Sequence, residues 1–189
     1  EPEAARDFIQ QIGVGKTIFK AFLASIESWR ETRTVERDDL DRLDLVRHAP
    51  VIFQEYIEGV DLRITVVGDQ VFAAEIDART SRYPYDMRMA IGDAPVRAIT
   101  LPSRVQAMIL ELQRRLGLVY GAIDMRRTDQ GDYVFFEVNP AGQWLFVEQR
   151  TELPISQAVA DLLARLDEDH TPATAQAVRR DPAQGADRP

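Results

Sequence analysis

Two acidic residues and the only asparagine of the chain lie on two segments that the sequence predicts to be paired strands. Asp124 belongs to YGAIDMR, whereas Glu137 and Asn139 belong to DYVFFEVNP, and TDQG between them predicts a turn. Side chains two residues apart on a strand leave the same face. A symmetric loop would place Asp124 opposite Phe135, with Glu137 as its diagonal neighbour at about 7–8 Å. Three hard oxygen donors without His or Cys suit Mg²⁺, with Mn²⁺ as the alternative ion, so the pattern predicts a metal site.

The same pattern has an ordinary structural explanation, in which Asp124 and Glu137 cover a solvated face of the sheet. Acidic residues are depleted in strands, however, and these two are embedded in the apolar runs GAIDM and VFFEV. From the residues alone, both interpretations stay open.

A second polar group follows an apolar strand earlier in the chain. The segment FQEYIEGVDLR predicts a strand through residues 54–57, a turn at Gly59, and a returning strand with Asp61 and Arg63 on one face. Free backbone groups at a strand end can pair with the edge of an adenine ring, the acid can bind ribose hydroxyls, and the arginine can bind phosphate. The alternative is an ordinary hairpin with a surface Asp–Arg ion pair.

The segment GVGKT at residues 13–17 is similar to the end of a phosphate-binding loop. Such a loop needs a glycine five residues before its Gly-Lys-Thr so that successive N–H groups can surround a phosphate, and that position is Gln10. The loop also connects a strand to a helix, whereas here a predicted helix ending at Gly13 precedes a strand. We therefore predict a helix end at this segment, with Lys16 exposed to solvent.

Composition restricts the classes of function. The chain has 189 residues, a formal net charge of −8 and no cysteine. The excess of acidic over basic residues argues against a nucleic-acid-binding protein, and the lack of cysteine excludes a disulfide framework or a thiolate site. No apolar run reaches the ~18 residues of a membrane span, and no signal peptide is recognised. We expect a cytoplasmic protein with no membrane or nucleic-acid partner, and its oligomeric state, a homo-oligomer included, stays open.

The pattern of apolar residues predicts an α+β fold. Tight turns between successive strands favour an antiparallel sheet, and we expect the helices on one of its faces. Residues 167–189 predict a disordered tail, because they are rich in Pro, Ala and charge without an apolar period. The predicted helices are 3–12, 38–47, 101–116 and a final one with Ile155 to Leu166; the predicted strands are 14–20, 51–57, 61–67, 70–78 and the two of the metal-site hairpin.

Four segments together resemble the C-terminal half of ATP-grasp ligases, in particular the microviridin-type graspetide synthetases. They are WRETR, PVIFQEYIEGVDLRITVVGDQVFAAEID, YDMR and GAIDMRRTDQGDYVFFEVNPAGQWLFVE. The resemblance implies an ATP-grasp fold with an antiparallel sheet and flanking helices over residues 1–166. Residues 1–50 would then be part of the nucleotide-covering lobe and 51–166 the lobe with the metal site. It also implies that the N-terminal domain of the family is lacking.

The resemblance implies roles for residues that match the family. Lys20 would reach the ATP phosphates, Arg88 would lie near the transferred phosphate, and Asp61 would contact the nucleotide. Asp86 lies in a segment with which some relatives hold a leader peptide. The hinge against adenine would consist of Gln54, Glu55, Tyr56 and Ile57, and the Mg²⁺ ligands would be Asp124, Glu137 and Asn139. Relatives usually cover the ATP phosphates with a glycine-rich loop. In this sequence that role would fall to Trp29, Arg30 and Arg33, or else these residues form an ordinary polar surface.

The implied activity is that of an ATP- and Mg²⁺-dependent carboxylate ligase. It would activate a side-chain carboxylate of a ribosomal precursor peptide as an acyl-phosphate and form an ester or amide, with Lys20 and Arg88 as the catalytic residues. The alternatives are a glutamate ligase of the ribosomal-protein glutamylating kind and a non-catalytic fragment that binds peptide or nucleotide. We expect the 189-residue chain alone to bind ATP weakly and to lack turnover.

Overall fold

The computed structural model describes residues 1–21, 32–81, 85 and 92–170. Predictions for Trp29, Arg30, Asp86, Arg88 and most of the tail therefore lie outside the described residues. The α-helices are α1 (Pro2–Ile12), α2 (Ser103–Leu116), α3 (Leu145–Thr151) and α4 (Ile155–His170), and the 3₁₀ helices are Arg37–Arg47 and Ala78–Thr80. The strands are β1 (Thr17–Ala21), β2 (Arg33–Thr34), β3 (Val51–Glu55), β4 (Val60–Val67), β5 (Gln70–Ile76), β6 (Val96–Ile99), β7 (Tyr120–Arg127) and β8 (Tyr133–Asn139).

The larger sheet has five antiparallel strands in the order β6-β5-β4-β7-β8. Along β4, Ile64 faces Ile109 of α2 on one side of the sheet, whereas Val67 faces Ile155 of α4 and Val147 of α3 on the other. Helices therefore cover both faces, and the prediction that they lie on one face is wrong. All eight residues of β4 are buried although VDLRITVV alternates between apolar and polar side chains, so the side of the strand that would be expected to face solvent is covered as well.

The smaller sheet has three strands in the order β2-β1-β3 and packs on α1 and the first 3₁₀ helix through Ile9, Val35 and Leu43. Its strand β3 pairs with β1 and not with β4, so the predicted hairpin of residues 54–63 is wrong. The chain leaves one sheet after β3 and enters the other at β4. Gly59 makes this crossing at φ 148°, where an added Cβ would lie 2.2 Å from the Arg127 carbonyl oxygen.

The GVGKT segment connects α1 to the small sheet. Gly13 and Gly15 both have positive φ, and β1 begins at Thr17, three residues later than predicted. The Gly15 N–H donates to the Val35 carbonyl at 3.0 Å and the Lys16 N–H to the Gly13 carbonyl at 3.2 Å. Because the fold already uses these donors, the segment cannot surround a phosphate. Lys16 is exposed, as predicted.

Helix α2 ends at Gly117 in the left-handed conformation. Ile109 and Gln113 are buried, whereas Met108 and Leu116 are 63% and 51% exposed. The apolar residues cover more of the helix circumference than the sheet can bury. Within the described residues, no helix has the length and apolar character that crossing a membrane requires.

Candidate functional site

A row of charged side chains crosses three neighbouring strands of the large sheet. Arg63 on β4 is directly opposite Asp124 on β7, and Asp124 is directly opposite Glu137 on β8. The prediction of Phe135 opposite Asp124 is wrong, because Phe135 pairs with Met125 and the register shifts between Asp124 and Met125. This β-bulge adds one residue to β8 and brings the two carboxylates closer than a diagonal pair would be.

Arg63 holds Asp124 in place. Its Nη1 donates to Asp124 Oδ1 at 2.7 Å, and its Nη2 donates to the Gln143 carbonyl at 3.0 Å. The Arg63 and Asp124 side chains are 10% and 17% exposed, so the attraction between them is weakly screened. Sequence reasoning expected this arginine to bind a phosphate. The structure instead commits two of its nitrogens to the protein, which makes Arg63 a residue that orients Asp124.

The other two members of the triple are exposed. Asn139 Oδ1 accepts a hydrogen bond from the Ala141 N–H at 2.8 Å, which leaves one lone pair of that oxygen for another partner. Within the described part of the chain, the Glu137 side chain has no hydrogen bond or ion pair. Two carboxylates and one amide oxygen on a solvent-accessible face fit the preference of Mg²⁺ for hard oxygen ligands. Nowhere in the described residues do three His, Cys, Asp or Glu side chains gather for a metal, so the amide of Asn139 is essential to this donor set.

The loop after Asn139 packs tightly against the sheet. A Cβ added at Gly142 would lie 2.3 Å from the Ala122 Cβ and 3.1 Å from Arg63 Nη2, so only glycine fits without a shift. The Tyr120 hydroxyl donates to the Gly142 carbonyl. Burial raises the pKa of the Tyr120 phenol above its usual value, so this donor keeps its proton at neutral pH. These contacts fix the loop that follows Asn139.

The predicted hinge lies where the chain crosses between the two sheets. The Tyr56 N–H donates to the Lys16 carbonyl at 2.8 Å, and the Ile57 carbonyl accepts from Arg126 Nη1 at 2.8 Å. Among the described residues, the Ile57 N–H has no partner. Fewer backbone groups are therefore free at this strand end than the sequence suggested, because the Tyr56 N–H is bonded and the Ile57 carbonyl already accepts one hydrogen bond.

Asp61 lies in a buried ion pair that sequence reasoning missed. Arg126 Nε and Nη2 donate to Asp61 Oδ1 at 3.0 and 2.6 Å, and the two side chains are 6% and 8% exposed. A signal was present in the sequence, because a charged pair Arg126-Arg127 within an apolar strand requires partners on both faces. Arg127 pairs with the buried Glu75 on the opposite face.

Lys20 belongs to the small sheet and lies beside the hinge. Its Nζ donates to Gln54 Oε1 at 3.3 Å, which brings two of the predicted nucleotide-binding residues together. Arg88, the other predicted catalytic residue, falls outside the described residues.

Comparison with known proteins places this arrangement in a family. The sequence model of the RimK-like ATP-grasp domain matches residues 1–163. The chain belongs to that family, whose members are ligases. The ATP-grasp fold predicted from the four sequence segments is thereby confirmed.

Two solved structures and one curated relative are similar to the chain. A RiPP-associated ATP-grasp ligase from Chryseobacterium gregarium, in complex with ADP and a leader and core peptide, is 34% identical with a TM-score of 0.76, and the match covers 91% of this chain and 53% of that one. The ATP-grasp ligase PsnB, complexed with a phosphomimetic variant of its minimal precursor, Mg and ADP, is 28% identical with a TM-score of 0.66, over 86% and 50%. Human N-acetylaspartylglutamate synthase A is 29% identical over 129 residues, which is 64% of this chain and 32% of the relative. The chain thus spans about half the length of these solved relatives, and less of the human one.

Proposed function

We propose that this protein is an ATP- and Mg²⁺-dependent ligase that activates a side-chain carboxylate of a peptide as an acyl-phosphate and then forms an ester or an amide. The observation that carries the proposal is the row of Arg63, Asp124 and Glu137, with Asn139 beside it, on the open face of the large sheet. A related ligase is complexed with Mg and ADP, which supports the choice of ion and nucleotide.

The proposed reaction has two steps. An oxygen of the substrate carboxylate attacks the γ-phosphorus of ATP, the bond from that phosphorus to the β–γ bridging oxygen breaks, and ADP leaves. A hydroxyl or amine then attacks the acyl carbon, loses its proton to solvent and expels phosphate. Bound Mg²⁺ would offset the negative charge on the phosphates in the first step.

The residues of this chain position the reactants. Asp124, Glu137 and Asn139 would hold Mg²⁺, and Arg63 keeps the Asp124 carboxylate in the orientation that this requires. Lys20 would place a positive charge at the phosphates, with its amine directed by Gln54. The Ile57 N–H would donate to the adenine edge. Arg88 stays the proposed partner of the transferred phosphate.

Peptides are the proposed substrate class because the Chryseobacterium ligase is in complex with a leader and core peptide and PsnB with its precursor. A second candidate is a ligase that adds glutamate, and one observation favours it. The human relative is a synthase of N-acetylaspartylglutamate. Both proposed activities use the same residues to bind the metal and the nucleotide, and they differ in the group that accepts the activated carboxylate.

The test compares acceptors with ATP and Mg²⁺ present. The 189-residue chain and the product of the whole open reading frame are each incubated with a synthetic peptide containing Asp, Glu, Ser, Thr and Lys, with or without free glutamate. We expect the open-reading-frame product to release ADP only with peptide, and the peptide to lose one water per bond formed. A peptide that instead gains a glutamate residue would select the second candidate. ATP consumption that leaves every acceptor unchanged would overturn both.

A further inference from the structure

Arg126 connects the predicted hinge to the strand that carries Asp124. It lies on β7 two residues after Asp124, and its side chain therefore leaves the sheet on the same face. Two of its nitrogens donate to Asp61 on β4, and the third, Nη1, donates to the Ile57 carbonyl at 2.8 Å. One guanidinium thus joins the large sheet to the segment that leaves the small one.

Two aromatic rings hold this guanidinium. Its central carbon lies 5.4 Å from the ring centroid of Tyr56 in the hinge and 5.6 Å from that of Phe136. Phe136 is the residue that the β-bulge adds to β8, next to Glu137. The bulge that sets Glu137 opposite Asp124 therefore also supplies one of the rings that contact Arg126. At such distances, a cation and a ring attract each other, more strongly where solvent is excluded.

Stability alone is a weak reason for this arrangement. A buried ion pair gives little net stabilisation, since removing two charges from water costs about as much as their attraction returns. What Arg126 does provide is geometry, because its planar guanidinium binds Asp61 and Ile57 through three separate nitrogens in a fixed arrangement, which the single nitrogen of an ammonium cannot reproduce. It also donates to the Ile57 carbonyl, whereas the Ile57 N–H has no partner among the described residues.

We infer that Arg126 is a positioning residue that fixes the hinge relative to the metal-site strand and determines which backbone groups of the hinge face the base of a nucleotide. This inference rests on the proposed function for the nucleotide, but the attachment of the hinge to β7 is a separate property of the chain. Loss of the Arg126 guanidinium would increase the mobility of residues 54–57 without disrupting the large sheet.

The test uses Arg126→Lys in the 189-residue chain, with Arg127→Lys as the matched control. Arg127 is the next residue on β7, also pairs with a buried carboxylate, Glu75, and points to the opposite face. Hydrogen exchange and ATP affinity by calorimetry are measured for both variants and the wild type. We expect Arg126→Lys to speed exchange at residues 54–58 with little change in β5, and to weaken ATP binding about tenfold, the size of one lost charge-assisted hydrogen bond. Arg127→Lys should leave both the hinge exchange and the ATP affinity at wild-type values.

Each outcome bears on a different claim. Equal hinge exchange in wild type and Arg126→Lys would overturn the inference, as would faster exchange spread evenly over the large sheet. No ATP binding by the wild type would contradict the proposed function, and the exchange data would still decide the role of Arg126. If Arg126→Lys does not fold, Phe136→Leu removes the ring beside the guanidinium and retains an apolar side chain. The same local increase in exchange is then expected, and its absence overturns the inference.

Discussion

At the scale of single residues, the face with the proposed metal ligands depends on charges that the protein itself partly neutralises. Asp124 is less exposed than Glu137 and is bound by Arg63, whereas Glu137 has no partner within the described residues. The two carboxylates thus have different tasks. Asp124 is held in a fixed orientation, and Glu137 keeps its full charge available for a cation.

Arg63→Lys should destabilise the fold, because an ammonium cannot reach both Asp124 and the Gln143 carbonyl as the guanidinium does. We expect a loss of about 1–3 kcal/mol in the free energy of unfolding, typical of a lost hydrogen bond to a buried charge. Unfolding in urea measures this change in the free energy of unfolding. The control is Arg97→Lys, whose side chain is 69% exposed although it pairs with Glu75, and whose cost should stay below about 1 kcal/mol. Equal losses for both variants would mean that Arg63 has no special role.

At the scale of elements, the β-bulge and the loop after β8 decide the geometry of the site. The sequence predicted both strands of this hairpin, because their apolar residues and turn residues are local signals. It did not predict the bulge, since a register shift of one residue depends on how Phe136 packs against Arg126 across the sheet. Nor did it predict that β3 pairs with β1, because strand pairing across 30 residues leaves no local trace.

Gly142→Ala tests the loop that follows Asn139. The added methyl group would meet Ala122 and Arg63 at distances that require the loop to move. Overpacking of this kind costs about 1–3 kcal/mol. It should also displace Asn139 and so weaken Mg²⁺-dependent nucleotide binding. Gly92→Ala is the control, because it adds the same group where no atom of the described residues lies within 4 Å. Thermal unfolding and calorimetric titration measure the two effects, and a fully stable Gly142→Ala that binds like wild type would contradict the described packing.

At the scale of the whole molecule, two antiparallel sheets meet at residues 56–59. The small sheet carries Lys20 and Gln54, and the large sheet carries Asp124, Glu137 and Asn139. This division could be predicted only through the resemblance to ATP-grasp ligases, since periodicity predicted a single sheet. The resemblance was specific because it combined four segments, whereas GVGKT, the most conspicuous motif, is a helix end in which the Gly13, Gly15 and Lys16 amides are already bonded.

The central claim is that the face with Glu137 binds Mg²⁺ together with ATP, and its most direct test is isothermal titration with ATP, with and without Mg²⁺. Glu137→Gln keeps the shape and removes the charge. Glu111→Gln is the control, because Glu111 is an exposed glutamate paired with Arg114 and Arg115 on α2. We expect Mg²⁺ to strengthen ATP binding by the wild type and by Glu111→Gln, and this gain to fall at least about tenfold in Glu137→Gln, as for the loss of a charged ligand. An equal Mg²⁺-dependent gain in Glu137→Gln and the wild type, or no gain in the wild type, would contradict the claim.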